Sequence, residues 1–149
     1  QLDRFMMQIN IGYPEKESEQ RIIREVMSSE AAALTERLIG KEEVMGIQKS
    51  IRDNVYISDN ILAYILDVVK ATRGSKYLLT GLSTRGALAI TETARTNAFF
   101  SGRDYLIPED VKEMAEFTIP HRVIFKDEYE SYDKKEIIRS IVKEVPVPV

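Results

Sequence analysis

The chain has 149 residues, 44% apolar and 30% charged, enough apolar material for one ordinary folded domain and too much for a disordered or fibrous segment. Its 21 Lys and Arg against 24 Asp and Glu leave a net charge of -3, so no global field draws it to nucleic acid or an anionic membrane. Without cysteine there is no disulfide framework or thiolate nucleophile, and one histidine, His121, rules out a histidine-based metal cluster. No apolar run reaches the roughly 20 residues that span a bilayer, and no signal-peptide pattern opens the chain, so a cytoplasmic location is expected. Beginning at Gln1 directly before an apolar run, the sequence reads as a piece of a longer protein.

In chain order, Phe5, Met7, Ile9 and Ile11 alternate at period two and predict a half-buried strand over residues 5–13. Everything after Pro14 reads as helices joined by short loops. Ile22, Ile23, Val26 and Met27, behind the acidic first turn Glu15, Glu17 and Glu19, mark a first helix. Residues 28–40 have helix propensity but no clean apolar stripe and read as a partly helical connector. Val44, Ile47 and Ile51 predict a second helix, and residues 54–57 an extended link.

Ser58 is placed to cap a third helix whose core stripe is Ile61, Leu62, Ile65, Leu66 and Val69, closed by Lys70, Arg73 and Gly74. Beyond a loop through Gly81, Ser83 can cap a fourth along Ala87, Leu88, Thr91, Ala94 and Ala98, ending near Gly102. Pro108 at the first helical position opens a fifth with Val111, Met114 and Ala115 inward, and Pro120 stops it. Asp133 and Glu136 form a D-x-x-E capping pattern ahead of Ile137, Ile138, Ile141 and Val142 in a sixth, and residues 145–149, with Pro146 and Pro148, must be extended.

Two segments exceed what packing explains: Leu2-Asp3-Arg4-Phe5 and Gly81-Leu82-Ser83-Thr84-Arg85-Gly86-Ala87. In order and separation they resemble the C-terminal end of MoxR-family AAA+ ATPases, where an L-D-R-F segment leads into the last core strand and a helical lid bears G-x-S-x-R. The resemblance continues through Ala71-Thr72-Arg73, Gly102-Arg103-Asp104-Tyr105, Pro108-Glu109-Asp110-Val111 and His121-Arg122-Val123, and so covers nearly the whole chain. Each tetrapeptide alone is weak; their collinear order is specific.

The resemblance implies an all-α fold: a helical AAA+ lid of five to six helices over residues 15–149, preceded by residues 1–14 as the end of an αβα ATPase core with one orphan β-strand. That strand, lacking its sheet, is expected to be disordered, to pair with another molecule, or to tuck against the lid. By resemblance Arg85 matches the sensor 2 arginine, directed at the γ-phosphate of its own subunit's ATP, and Arg4 the arginine finger, directed at a neighbour's. Guanidinium groups suit both roles, being always charged and offering planar donors to phosphoryl oxygens. Ser83 and Thr84 would add a helix N-terminus beside Arg85, and Tyr13 and Pro14 match a hinge near the adenine. The full-length parent would then use ATP and Mg2+ in a homo-oligomeric, usually hexameric ring, with chaperone-like action on a client protein, clients with von Willebrand type A domains being among those associated with the family. No nucleic-acid partner and no integral membrane segment are expected.

Simpler readings stand beside these. Arg85 could be a solvated side chain, and Arg4 could pair with Asp3 or Asp104. Pro14 could merely start a helix, Arg73 could serve only the helix dipole, and His121 has no ligand set. Against the family pattern, Leu82 and Thr84 replace the Ala and Pro of G-A-S-P-R. No G-x-x-x-x-G-K-[ST] loop and no strand ending in paired acids is found, so the fragment alone should neither hold nucleotide firmly nor hydrolyse it. The competing function is a free-standing helical protein-interaction or DNA-binding module, which the charge of -3 and the lack of a basic recognition helix disfavour.

Overall fold

The computed structural model describes residues 2–27 and 39–148, and the connector expected over 28–40 lies almost wholly outside them. The described residues form six α-helices: α1 (Lys16–Met27), α2 (Lys41–Asn54), α3 (Asp59–Arg73), α4 (Thr84–Phe100), α5 (Pro108–Thr118) and α6 (Lys134–Lys143). The only sheet among them pairs two short strands, β1 (Leu78–Thr80) and β2 (Ile124–Phe125), antiparallel, with Leu78 opposite Phe125 and Thr80 opposite Ile124. None of the helices is long and apolar enough to cross a membrane.

The helix starts follow local chemistry. Ser58 Oγ accepts the Ile61 N–H at 3.3 Å and Ser83 Oγ accepts the Gly86 N–H at 3.1 Å, while Asp133 Oδ1 accepts from Lys135 at 2.8 Å and Glu136 at 3.4 Å. Only half of the expected capping box forms on α6, because Glu136 is taken by Arg139. Pro108 occupies the first turn of α5. At the end of α4, Gly102 adopts φ +73°, its N–H bonds Phe99 O at 2.9 Å, and the Arg103 N–H bonds Ala98 O at 3.0 Å. This is a Schellman turn, which glycine's freedom at positive φ permits and which sends the chain back along the helix.

The core joins α3, α4, α5, α6 and the small sheet through Tyr64, Val68, Ile90, Val111, Ile119 and Ile138. A second small cluster, Ile51, Val55 and Ala98, ties α2 to α4. Two expected stripes need correction. On α3 the buried line runs Ile61, Tyr64, Ile65, Val68, Val69 and Thr72, leaving Leu62 and Leu66 exposed, because both lie roughly 90–130° round the helix from the centre of that line. On α4 the buried face is Gly86, Ala87, Ala89, Ile90, Thr93, Ala94 and Ala98, with Leu88 outside. The small residues on this face let α5 approach closely, and Thr93 Oγ1 meets Thr118 Oγ1 at 3.3 Å across the contact.

The orphan strand is also corrected. Leu2–Arg4 forms a single 3-10 turn, and residues 7–15 carry no sheet ladder; Phe5, Met7, Ile9 and Ile11 are exposed. The alternation is real, but a strand requires a neighbour of comparable length, and β1 and β2 are only three and two residues long. Of the three fates expected for the segment, it takes the third: the Gln8 N–H donates to Phe117 O at 2.8 Å, at the end of α5. Of the link expected over 54–57, Asn54 still belongs to α2; the extended backbone begins at Val55, and Tyr56 forms a parallel bridge to Tyr105.

Candidate functional site

The turn carrying Arg85 is held from behind by the end of α3. Thr72 Oγ1, fully buried, donates to Val69 O at 2.7 Å and accepts the Leu82 N–H at 3.0 Å, and Arg73 Nε donates to Leu82 O at 2.9 Å. Both backbone groups of Leu82 are thereby satisfied while its side chain is buried. The two flanking glycines are required by close approach. A Cβ on Gly81 would lie 2.5 Å from Arg73 Cα, and one on Gly86 would lie 2.3 Å from Leu82 Cδ1. The outcome is a rigid turn that presents Ser83 as the cap of α4 and leaves Thr84 and Arg85 exposed. Arg85 makes no ion pair or side-chain hydrogen bond among the described residues.

Gly81→Ala follows as a local test. Its new methyl meets main-chain atoms of Arg73 in the last turn of α3, which cannot swing aside as a side chain would, so overpacking of about 1–3 kcal/mol is expected in urea unfolding. An unchanged midpoint would show that α3 yields at Arg73 and that the turn is not rigidly backed.

A second constellation surrounds Arg4. The Arg122 side chain, 1% exposed, directs its guanidinium onto the N-terminal segment. Nη1 donates to Asp3 O and, at 2.9 Å, to Asp3 Oδ1; Nη2 donates to Phe5 O and, at 3.4 Å, to Met6 O. His121 Nε2 donates to the same Phe5 carbonyl at 2.9 Å. Ser83 Oγ, besides capping α4, lies 3.2 Å from each carboxylate oxygen of Asp3 and donates to it. Asp3 is thus engaged by Arg122 and Ser83, not by Arg4. Arg4 has no ion pair with Asp3 or Asp104 among the described residues; its guanidinium lies 5.1 Å from the Phe5 ring centroid and is otherwise exposed. Both arginines singled out by sequence are therefore exposed, and each stands on a backbone bonded by buried partners.

Residues 70–141 match the family model of the AAA lid domain. The chain is 34% identical over its whole length to the uncharacterized protein YeaC of Bacillus subtilis, covering 47% of it. It is 32% identical over 133 residues to Chaperone MoxR1 of Mycobacterium tuberculosis, covering 83% of this chain and 34% of that protein. A crystal structure of a proposed ATPase from Cytophaga hutchinsonii superposes with a TM-score of 0.83 at 34% identity, over 99% of this chain and 48% of that one. The chain is the lid portion of a MoxR-type AAA+ protein. It spans half or less of the length of each of these relatives.

Two other segments quoted for the resemblance, 102–105 and 108–111, pair with each other. Arg103, aimed by the Schellman turn, grips Asp110 with Nη1 at 2.7 Å from Oδ2 and Nη2 at 2.6 Å from Oδ1. Asp110 also accepts from the Ile107 N–H at 3.0 Å and from Asn97 Nδ2 at 3.1 Å. Burial by itself would raise the Asp110 pKa; the bonds from Arg103, Ile107 and Asn97 and the Arg103 charge outweigh it and hold the carboxyl below the usual carboxylate range. Tyr13 and Pro14 lie exposed just before α1, after Gly12 at φ +74° with its N–H on Asn10 Oδ1, and share no hydrogen bond, ion pair or ring contact with Ser83 or Arg85 among the described residues.

Sequence reasoning did not assign Thr72, Arg73 and Arg122 to the site, although all three lie in tetrapeptides or tripeptides quoted for the resemblance. Their appearance together with the two arginine segments was the available signal. Arg73 does more than complement a helix dipole, since it bonds the turn that carries Arg85.

Proposed function

We propose that this lid senses nucleotide in an AAA+ ATPase. Arg85 addresses the phosphates of ATP held by the same subunit, Ser83 and Thr84 line that approach, and Arg4 serves as the finger toward the neighbouring subunit of a homo-oligomeric, hexameric ring. The observation that carries this reading is the pair of exposed guanidiniums, each without an ion pair among the described residues and each mounted on a turn that Thr72 or Arg122, both buried, bonds from behind. A surface arginine that only aids solubility needs no such backing, whereas an arginine that meets developing phosphoryl charge gains from being fixed beforehand.

The donor set fits a phosphate. Arg85 keeps its fork for an anion, on the first turn of a helix whose dipole favours negative charge. Bound ATP with Mg2+ would supply the scissile phosphoanhydride and neutralise its charge, through parts of the longer protein that carry the phosphate loop. Residues 1–14 would close the ATPase core and residues 15–149 form the lid, with Tyr13 and Pro14 as the hinge near the adenine about which the lid turns as nucleotide state changes. That motion would drive chaperone-like remodelling of a client protein, one with a von Willebrand type A domain being the leading candidate, in the cytoplasm.

The test is steady-state ATP turnover by the full-length protein, wild type against Arg85→Ala, with nucleotide affinity and ring size measured in parallel. Loss of one preorganised donor at a site of developing charge costs about 10²-fold in kcat or more. Turnover unchanged with the ring intact would reject the sensing role and favour a lid that only packs or binds partners.

A further inference from the structure

A polar cluster of Arg122, His121 and Asp3 lies outside the sensing role given to Arg85 and meets that site at Ser83. An arginine whose side chain is 1% exposed is costly to bury; its Nε has no hydrogen-bond partner among the described residues, so the two terminal nitrogens carry all of its matching. Here the matching groups are the carbonyls of Asp3, Phe5 and Met6, which flank Arg4 on both sides, together with the Asp3 carboxylate. His121 adds a second bond to Phe5 O, and Gln8 anchors the downstream end on Phe117. Within this latch Arg4 is the charged side chain left outward without an ion pair among the described residues.

We propose that Arg122 is the positioning residue for Arg4, and that the Asp3–Ser83 contact links the turn bearing Arg4 to the N-terminus of the helix bearing Arg85. The proposal rests on the sensing role given above for the two arginines. Two consequences follow from the geometry. Arg122 acts on turnover mainly through Arg4, because both of its terminal nitrogens are spent on the segment that carries Arg4. A shift of α4 on nucleotide binding is passed to Arg4 through Ser83 and Asp3, so the arginine addressing a subunit's own nucleotide and the one addressing its neighbour's move together.

The experiment is a double-substitution cycle in the full-length protein: Arg4→Ala, Arg122→Lys and both together, with kcat and KM for ATP measured for each. Lysine keeps the buried charge and can reach one carbonyl, but it lacks the planar fork that spans several, so the fold is retained while the segment loosens. Misplacement of a reacting-site group by about 1 Å costs up to about 10²-fold, so Arg122→Lys should lower kcat by 10-fold to 10²-fold with KM nearly unchanged. In the Arg4→Ala background the same change should cost nothing more. An equal further loss there, or no loss in the wild-type background while Arg4→Ala is impaired, overturns the positioning role. An Arg4→Ala protein with normal turnover overturns it as well, by leaving nothing to position, whereas failure of the sensing reading is read separately from Arg85→Ala.

A second readout needs neither nucleotide nor activity. In hydrogen exchange, Arg122→Lys should speed exchange of the Phe5 and Gln8 amides at least tenfold while the α3 amides keep their protection. Asp3→Ala, at a side chain 39% exposed, should do the same for Phe5 with little risk to folding. Unchanged exchange at both amides would show that the latch does not hold the segment.

Discussion

Arg4→Ala in the full-length protein is expected to lower ATP turnover by about 10³-fold or more while leaving ring assembly and nucleotide affinity nearly intact. An arginine supplied across a subunit boundary stabilises charge that develops only as the phosphoryl group transfers, and removing one costs on the order of 10³ to 10⁵ in rate. The loss should therefore fall on kcat and spare KM. Structural damage should be small, since the Arg4 guanidinium lies over the Phe5 ring at the surface and has no ion pair among the described residues. Arg4→Lys should recover little, because a point charge on a flexible stem does not replace a planar fork. Steady-state kinetics at saturating ATP, with ring size measured by light scattering, decides the matter. A change smaller than about threefold would mean that Arg4 is a surface residue whose backbone is held for some other purpose.

The largest stability effect should come from Asp110→Ala. The Asp110 side chain is 2% exposed and that of Arg103 22%, and the carboxylate serves four donors on three residues. Removing it leaves the Ile107 N–H and the mostly buried Arg103 charge without their carboxylate, while Asn97 keeps its bond to Glu113 and Arg103 Nη1 its bond to Tyr105 O. Breaking such a pair on one side costs about 3–5 kcal/mol, toward the lower end here because Arg103 keeps some water contact. Urea unfolding of the chain measures it, and a loss under about 1 kcal/mol would show that water replaces the carboxylate without difficulty.

Acid should expose the same interaction. The folded-state pKa of Asp110 is depressed, so its stabilisation is present in full above the ordinary carboxylate value of about 4 and is lost as pH falls through the lower folded value. The stability gap between wild type and Asp110→Asn should be constant from pH 7 to about 5 and then shrink as the pH drops below about 4. A gap independent of pH down to acid unfolding would remove the carboxylate charge from the explanation.

What could be read from the sequence is what short-range chemistry decides. Ser58, Ser83, Asp133 and Pro108 mark helix starts because a cap or a fixed φ acts within three residues of itself, and all four do so here. The collinear order of short motifs identified the lid family, and the exposed arginines 4 and 85 were singled out on that basis. The places where sequence and structure part are those set by distant neighbours. Leu62, Leu66 and Leu88 carry the same apolar signal as the residues beside them, and only the direction from which α4, α5 and α6 pack decides which ones face water. The alternation at Phe5, Met7, Ile9 and Ile11 specifies a strand but cannot supply an edge, so the segment is held instead by Arg122 and Phe117, more than a hundred residues along the chain. Thr72 and Arg122 look ordinary as letters. Their importance lies in hydrogen bonds to Leu82 in one case and to Asp3, Phe5 and Met6 in the other, the first across ten residues and the Asp3 bond across 119, and such bonds exist only once the chain has folded back to bring donor and acceptor together.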